Sequence, residues 1–332
     1  GMDRRGRLEG AVVEILERNT QSVVGRLHRE SGVGFVVPDN KRLVHDISVP
    51  DTEVHGAAHG QIVTVEIVEQ PGKRHRPVGR IVEVLGEHMA PGMEIDIAIR
   101  SHDLPQEWPA DVDEEIRHYT GEVPEEAKAG RTDLRDVPLV TIDGEDARDF
   151  DDAVFCERRS SGWRLLVAIA DVSHYVLPDT ALDREALKRG NSVYFPERVI
   201  PMLPEVLSNG LCSLNPEVDR LCMVCEMQIS ASGNITRSRF FEAVMRSHAR
   251  LTYSQVAAMV VENDPELRKT FHALVPHLDE LHSLYRALRQ ARETRGAIDF
   301  ETTETRIIFG TDRKIDRIVP LVRNDAHMMI EE

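Results

Sequence analysis

The sequence predicts an α+β protein: a small β-barrel first, then an irregular connector, then the front of a mixed α/β domain. Three observations carry that expectation. Residues 10–86 read as short strands separated by turn residues, with no helical period. Pro91, Pro105, Pro109, Pro124 and Pro138 punctuate the next stretch, 87–140. From Val137 the texture changes again, and buried-strand runs alternate with segments of helical spacing.

In the first region the candidate strands are Gly10–Leu16, Ser22–His28, Gly34–Pro38, Asp46–Val49, Gln61–Glu69 and Val78–Leu85. The breaks carry Ser31-Gly32, Pro38-Asp39-Asn40, His59-Gly60 and Pro71-Gly72. Short strands at this spacing fit a Greek-key barrel of the oligonucleotide-binding kind. Phe35 follows two glycines on one of them, where an aromatic ring can offer a stacking face to unpaired bases. The competing reading puts Phe35 in the barrel core, as for most aromatics in strands.

The connector carries two candidate helices, Asp111–Tyr119 and Pro124–Ala129. Beyond it, Pro138–Ile142 and Trp163–Ala170 read as buried strands, with Val218–Ser230 and Arg237–Ala243 as further strands of a mixed sheet. Tyr253–Val261 and Pro265–Thr294 have helical spacing, the second split at Pro276. Arg306–Phe309 and Lys314–Pro320 suggest a hairpin, and Asn324–Glu332 starts a helix that the chain does not complete, as expected of a piece of a longer protein. The expected division is a terminal segment 1–9, a barrel 10–88, a connector 89–136 and a mixed domain 137–332.

Composition sets bounds. With 332 residues, 41% hydrophobic and 30% charged, the chain suits two globular domains. No apolar run approaches membrane-helix length, so no membrane partner is expected. The polar opening GMDRRGRLEG predicts no secretory signal, its Gly-Met reading as an expression remnant. Four cysteines in so long a chain suit a reducing cytoplasm better than a disulfide framework. The net charge of −16 speaks against nucleic acid only until its distribution is seen. Residues 1–90 hold twelve Lys/Arg against thirteen Asp/Glu, so the excess acid lies downstream.

The densest acid cluster is Asp143-Gly144-Glu145-Asp146-Ala147-Arg148-Asp149-Phe150-Asp151-Asp152, between a buried strand and the apolar run Ala153–Phe155. Extended geometry would put Asp149 and Asp151 on one face and Asp152 on the other, with Asp143 folding back towards them. Carboxylates so close repel unless a hard cation sits among them, and Mg²⁺ or Mn²⁺ suits an all-oxygen site. A solvated acidic turn remains the bland alternative. A calcium loop fits poorly, because no starting position supplies the EF-hand spacing. The third reading is phosphodiester hydrolysis, in which a metal polarises a phosphoryl oxygen and activates water.

Weaker signals point elsewhere. Cys222-x-x-Cys225 has zinc spacing but no second pair, and buried thiols account for it better. Gly32-x-Gly34 lacks the rest of a dinucleotide motif, so no small-molecule cofactor is expected. His174 reads as a packed or surface histidine rather than a catalytic base.

The stretch from Val140 to Ala153 resembles the active-site signature of the ribonuclease II/ribonuclease R superfamily, nearest its bacterial ribonuclease R members. The resemblance continues through Val167–Ser173, Ser192–Pro196, Ile200–Glu205 and Leu207–Leu214, and covers nearly the whole chain. It implies a processive 3′→5′ exoribonuclease that takes the single-stranded 3′ end of RNA and releases nucleoside 5′-monophosphates with Mg²⁺. Asp143, Asp149, Asp151 and Asp152 fall on the family's catalytic and Mg²⁺-binding aspartates, and Tyr194 on the tyrosine that stacks on the 3′ base. Residues 10–86 then correspond to the second of two cold-shock barrels, with Phe35 facing RNA. On this resemblance a first barrel, an arginine-bearing phosphate motif and a last RNA-binding barrel belong to the longer protein, and this stretch alone is expected to be inactive. The rival is a non-catalytic RNA-binding module whose acid cluster is structural.

Overall fold

The structure is a computed structural model, and it describes all residues except 1, 3, 4, 9, 11, 12, 14, 15, 17–19, 31, 73, 74, 89, 197, 299–303 and 312–314. The expected strand Gly10–Leu16 lies largely outside the described residues. The chain forms two compact units, Gly1–Pro105 with Phe309–Lys314, and Gln106–Ile308 with Ile315–Glu332.

In the first unit, β1 (Ser22–Glu30), β2 (Val33–Pro38), β3 (Ile47–Val49), β4 (Gln61–Glu69) and β5 (Val78–Glu87) close into a barrel in the order β1-β2-β3-β5-β4. Alternation decides which side chains fill it. Leu27 and Val36 face each other across β1 and β2 and are fully buried, while the next pair, His28 and Phe35, points outward. A Cβ on Gly25 would stand 2.3 Å from the Val37 carbonyl oxygen, so only glycine permits that close approach of backbones. The helix α1 (Met93–Ser101) buries Met93 against Val24 and Ile62. Its apolar residues, Met93, Ile95, Ile97 and Ile99, repeat every second position, a strand-like pattern that hides the helix in the sequence.

The second unit begins with α2 (Ala110–Ile116) and α3 (Glu125–Lys128), then β6 (Thr132–Leu134), β7 (Val140–Asp143), β8 (Asp152–Arg159) and β9 (Gly162–Ala170). The helix α4 (Ala181–Arg189) leads into a small hairpin, β10 (Val193–Phe195) and β11 (Arg198–Ile200), and then a π-helical turn, Val206–Leu211. β12 (Asp219–Ser230), β13 (Ile235–Arg246) and β14 (Ala249–Thr252) complete a seven-stranded sheet in the order β14-β7-β8-β9-β12-β13-β6. The pairs β14–β7 and β13–β6 are parallel, and the rest antiparallel.

The sheet is covered on both faces, which is why its central strands read as continuous apolar runs. Ala153 and Phe155 of β8 and Leu166 of β9 pack on one face with Leu182, Leu207 and Leu214. Val154, Cys156 and Leu165 pack on the other against α5 (Tyr253–Val260) and α7 (Val275–Thr294), through Val256, Leu278 and Leu281.

The expected split of the long helical segment occurs upstream of Pro276. α6 (Pro265–Thr270) stops before Phe271, and Pro276 sits in the first turn of α7, where its missing N–H costs nothing. β15 (Thr305–Phe309) and β16 (Ile315–Pro320) pair, and α8 (Asp325–Glu331) follows with the Asn324 side chain capping it. Among the described residues no helix is long and apolar enough to cross a membrane.

Candidate active site

The carboxylates stand where two central strands meet a clamped loop. Asp143 is the last residue of β7, opposite Thr252 of β14, and Asp152 is the first of β8, opposite Ile169 of β9. Between them the chain is held at several points. The Phe150 ring is buried in the core, with the Arg250 guanidinium 4.6 Å from its centre, and the same guanidinium donates to the carbonyls of Glu145 (3.3 Å) and Ala147 (2.8 Å). The fully buried Ser213 hydroxyl accepts the Phe150 N–H at 3.0 Å and donates to the Arg148 carbonyl at 3.4 Å, bracketing Asp149 on both sides. Leu214 N–H donates to Phe150 O at 2.7 Å, and Ala170 N–H to Asp151 O at 2.8 Å.

These clamps hold like charges together. Burial raises the Asp143 carboxyl above its ordinary range, and Asp149 adds to that, against a Gly144 N–H bond of 2.6 Å and the Arg250 charge. Burial also raises Asp151, helped by Asp149 and Asp143, and raises Asp152, helped by Asp143 and Asp151. No cation offsets Asp151 or Asp152 among the described residues. Asp151 and Asp152 have different neighbours. Asp152 lines a cavity of about 150 Å³ with Val154, Leu281 and Tyr285, whereas the Asp151 charge reaches Cys212 in the core of the opposite face.

No three carboxylates, imidazoles or thiols stand close enough to hold one ion among the described residues. The donor set nevertheless fits a hard divalent cation. It is all oxygen, and its members raise one another's pKa. Mg²⁺ commonly takes only one or two carboxylates and completes its shell with water and phosphate.

Tyr194 lies on β10 with 62% of its surface exposed, and its hydroxyl donates to Asp149 Oδ2. Partial burial and the Asp149 carboxylate push its pKa up to about 12, so the phenol keeps its proton at neutral pH. The structure thus joins Tyr194 directly to the acid cluster, a link sequence spacing could not show. Phe35 is outside the barrel core, its ring stacked on His28 with centroids 5.3 Å apart and 13° between planes. The other candidates resolve simply. Cys222 and Cys225, three apart on one strand, point to opposite faces, and all four cysteines are free. His174 is exposed against the edge of Tyr175.

Residues 131–332 match the RNB domain, and residues 35–109 match the Cold shock domain. The chain belongs to the RNB domain family. It is 60% identical over 333 aligned residues to Ribonuclease R of Vibrio cholerae, and 59% identical to that of Escherichia coli. Both alignments take in 100% of this chain and 40% and 41% of those proteins, so the chain spans about two fifths of the curated relatives it matches. Among solved structures, a Mycoplasma genitalium RNase R in complex with ribose methylated single-stranded RNA superposes with a TM-score of 0.88 at 29% identity. That superposition covers 98% of this chain and 51% of the other.

Two supporting residues escaped the sequence reading. Ser213 lies in the motif Leu207–Leu214 already noted, but nothing in the string says that its hydroxyl reaches 63 residues back to the acid loop. Arg250 is one of many arginines, and only the parallel pairing of β14 with β7 brings it to Phe150.

Proposed function

We propose that this chain is part of a metal-dependent 3′→5′ exoribonuclease acting in the reducing cytoplasm, with a cold-shock-type barrel (10–88), a connector (89–136) and the N-terminal part of a catalytic domain (137–332). The observation that carries the reading is the row Asp143, Asp149, Asp151 and Asp152. It is framed by strand ends and a clamped loop, with Asp143, Asp151 and Asp152 raised above the ordinary carboxylate range, in a chain 60% identical to a Ribonuclease R. The RNA in the Mycoplasma genitalium complex supports RNA as the partner here.

In this reading Asp143, Asp149, Asp151 and Asp152 supply the carboxylates that would hold Mg²⁺, one or two to an ion, with Mn²⁺ as an alternative. An ion held there would supply neutralising charge at the phosphate and a water of lowered pKa, the chemistry that release of 5′-monophosphates needs. The protein's own share is positional. Ser213 and Phe150 fix the backbone around Asp149, and Arg250 fixes the loop before it. Tyr194 stacks on the 3′-terminal base, gripping any base without reading sequence, and Phe35 offers a second stacking face on the barrel. The 332-residue stretch alone is expected to be inactive, because developing phosphate charge needs preorganised positive groups, and the resemblance assigns the arginine-bearing phosphate motif to the longer protein.

The test is release of mononucleotides from labelled oligoadenylate by the full-length protein, with and without Mg²⁺. Mg²⁺-dependent release from the 3′ end is expected. Binding without any release, at saturating metal, would favour an RNA-binding module with a structural acid cluster.

A further inference from the structure

The hairpin that carries Tyr194 is short, and outside its own pairing Tyr194 reaches Asp149. Its strands are three residues each, and an isolated two-stranded hairpin is marginal in water. Where the Tyr194 ring stands therefore depends on what anchors the hairpin's base.

Arg198 of β11 donates to Gln106 Oε1 at 2.7 Å, and the base itself is bridged by a buried side chain. Arg189 is the last residue of α4, after which Gly190, at φ 79°, turns the chain out towards β10. The chain returns after β11 at Pro201, and the Arg189 guanidinium is waiting there. Its Nη1 donates to the Pro201 carbonyl at 3.1 Å, its Nη2 to the Glu107 carbonyl at 2.8 Å and its Nε to Glu185 Oε1 at 2.8 Å. The guanidinium also lies 3.6 Å from the centre of the Trp108 ring. The Arg189 side chain is 3% exposed and its partner Glu185 6%. A second, smaller tie closes the same base, Met202 N–H donating to the Ser192 hydroxyl at 3.0 Å. The chain thus leaves the body after Arg189 and rejoins it at Pro201 across a buried, forked cation, with Tyr194 out on the arm between.

We propose that Arg189 is the positioning residue for Tyr194, and that through Tyr194 it sets the length of RNA at which degradation stops. The inference rests on the exoribonuclease reading and on Tyr194 stacking against the terminal base. A lysine cannot replace the fork, because a point charge on a flexible stem holds Glu185 without also bridging Pro201 and Glu107 in fixed geometry.

The experiment uses the full-length protein on 5′-labelled oligoadenylate, with Arg189→Lys, Arg189→Met and Tyr194→Ala compared on one denaturing gel and each checked by thermal melting. Both Arg189 variants should change the final product in the same direction as Tyr194→Ala, with about tenfold weaker hold on short 3′ ends. Their rate on long RNA should stay close to that of the unaltered protein, a split that general structural damage would not produce. Arg189→Lys keeps the buried charge pair and serves if Arg189→Met fails to fold. An unchanged product from natively melting Arg189→Lys, where Tyr194→Ala does change it, would overturn the role of Arg189. If Tyr194→Ala leaves the product unchanged, the stacking reading itself fails and the inference falls with it.

Discussion

The barrel and the mixed sheet treat their acids in opposite ways. In the barrel unit, Glu83 meets Arg100 at 2.6 Å, and that hydrogen bond holds its carboxyl below the ordinary range. Arg80 pairs with Glu66 and Arg29 with Asp51 on the same outer surface. In the sheet unit, Asp143, Asp151 and Asp152 are raised by desolvation and by neighbouring carboxylates of the row, Asp149 among them. Yet that unit can pair an acid when packing asks for it. Asp219 is held low against its burial by bonds from Lys128 and Arg246. The acid row is therefore a local arrangement, not a consequence of the chain's charge of −16. Acids satisfied from within mark structure, and the raised acids of the row are where the proposed cation would sit.

The largest expected effect breaks the frame's charge. Asp151→Asn in the full-length protein should lower hydrolysis by on the order of 10²–10³ or more while RNA affinity is retained. Next comes Tyr194→Ala, expected to weaken the hold on the 3′ end by about 1–3 kcal/mol and to change the final product on a denaturing gel. Ser213→Ala removes two hydrogen bonds of about 0.5–1.5 kcal/mol each around Asp149, so kcat should fall roughly tenfold with KM nearly unchanged. A change confined to KM would show that Ser213 serves packing alone.

The smallest effect is thermodynamic and reads the pKa shifts directly. A carboxyl raised in the folded state binds its proton more tightly there than in the unfolded chain. Its cost to stability is absent below the unfolded pKa near 3.8 and is complete once pH passes the raised folded value. At pH 7 without divalent ions, Asp152→Asn should therefore melt slightly higher than the unaltered protein. Mg²⁺ should raise the melting temperature of the unaltered protein more than that of the variant. Identical melting curves with and without metal would mean that the acid row holds no ion.

How much of this was legible depended on how local the signal was. The barrel strands Ser22–Glu30 and Gln61–Glu69 announced themselves because alternation and turn residues are local patterns. The helix Met93–Ser101 did not, because its apolar residues repeat every second position. The acid row was visible as a string, and its strand-end placement followed from the apolar runs beside it. What holds the row was not visible. Ser213, Arg250 and Arg189 act through contacts set by sheet order and by the return of a hairpin, and one-dimensional spacing carries neither. The burial of Phe35 was ambiguous for a similar reason. A strand position is in or out according to register, and the pairing of His28 with Phe35 puts it outside.

On the proposed function, the sheet unit does the chemistry and the barrel only grips RNA. The direct test measures RNA affinity and saturated single-turnover rate together for full-length protein, Asp151→Asn and Phe35→Ala. Phe35→Ala should bind roughly 1–3 kcal/mol more weakly and cleave at an unchanged saturated rate. Asp151→Asn should bind normally and scarcely cleave. A saturated rate that falls as far in Phe35→Ala as in Asp151→Asn, or an Asp151→Asn protein that cleaves at the unaltered rate, would contradict it.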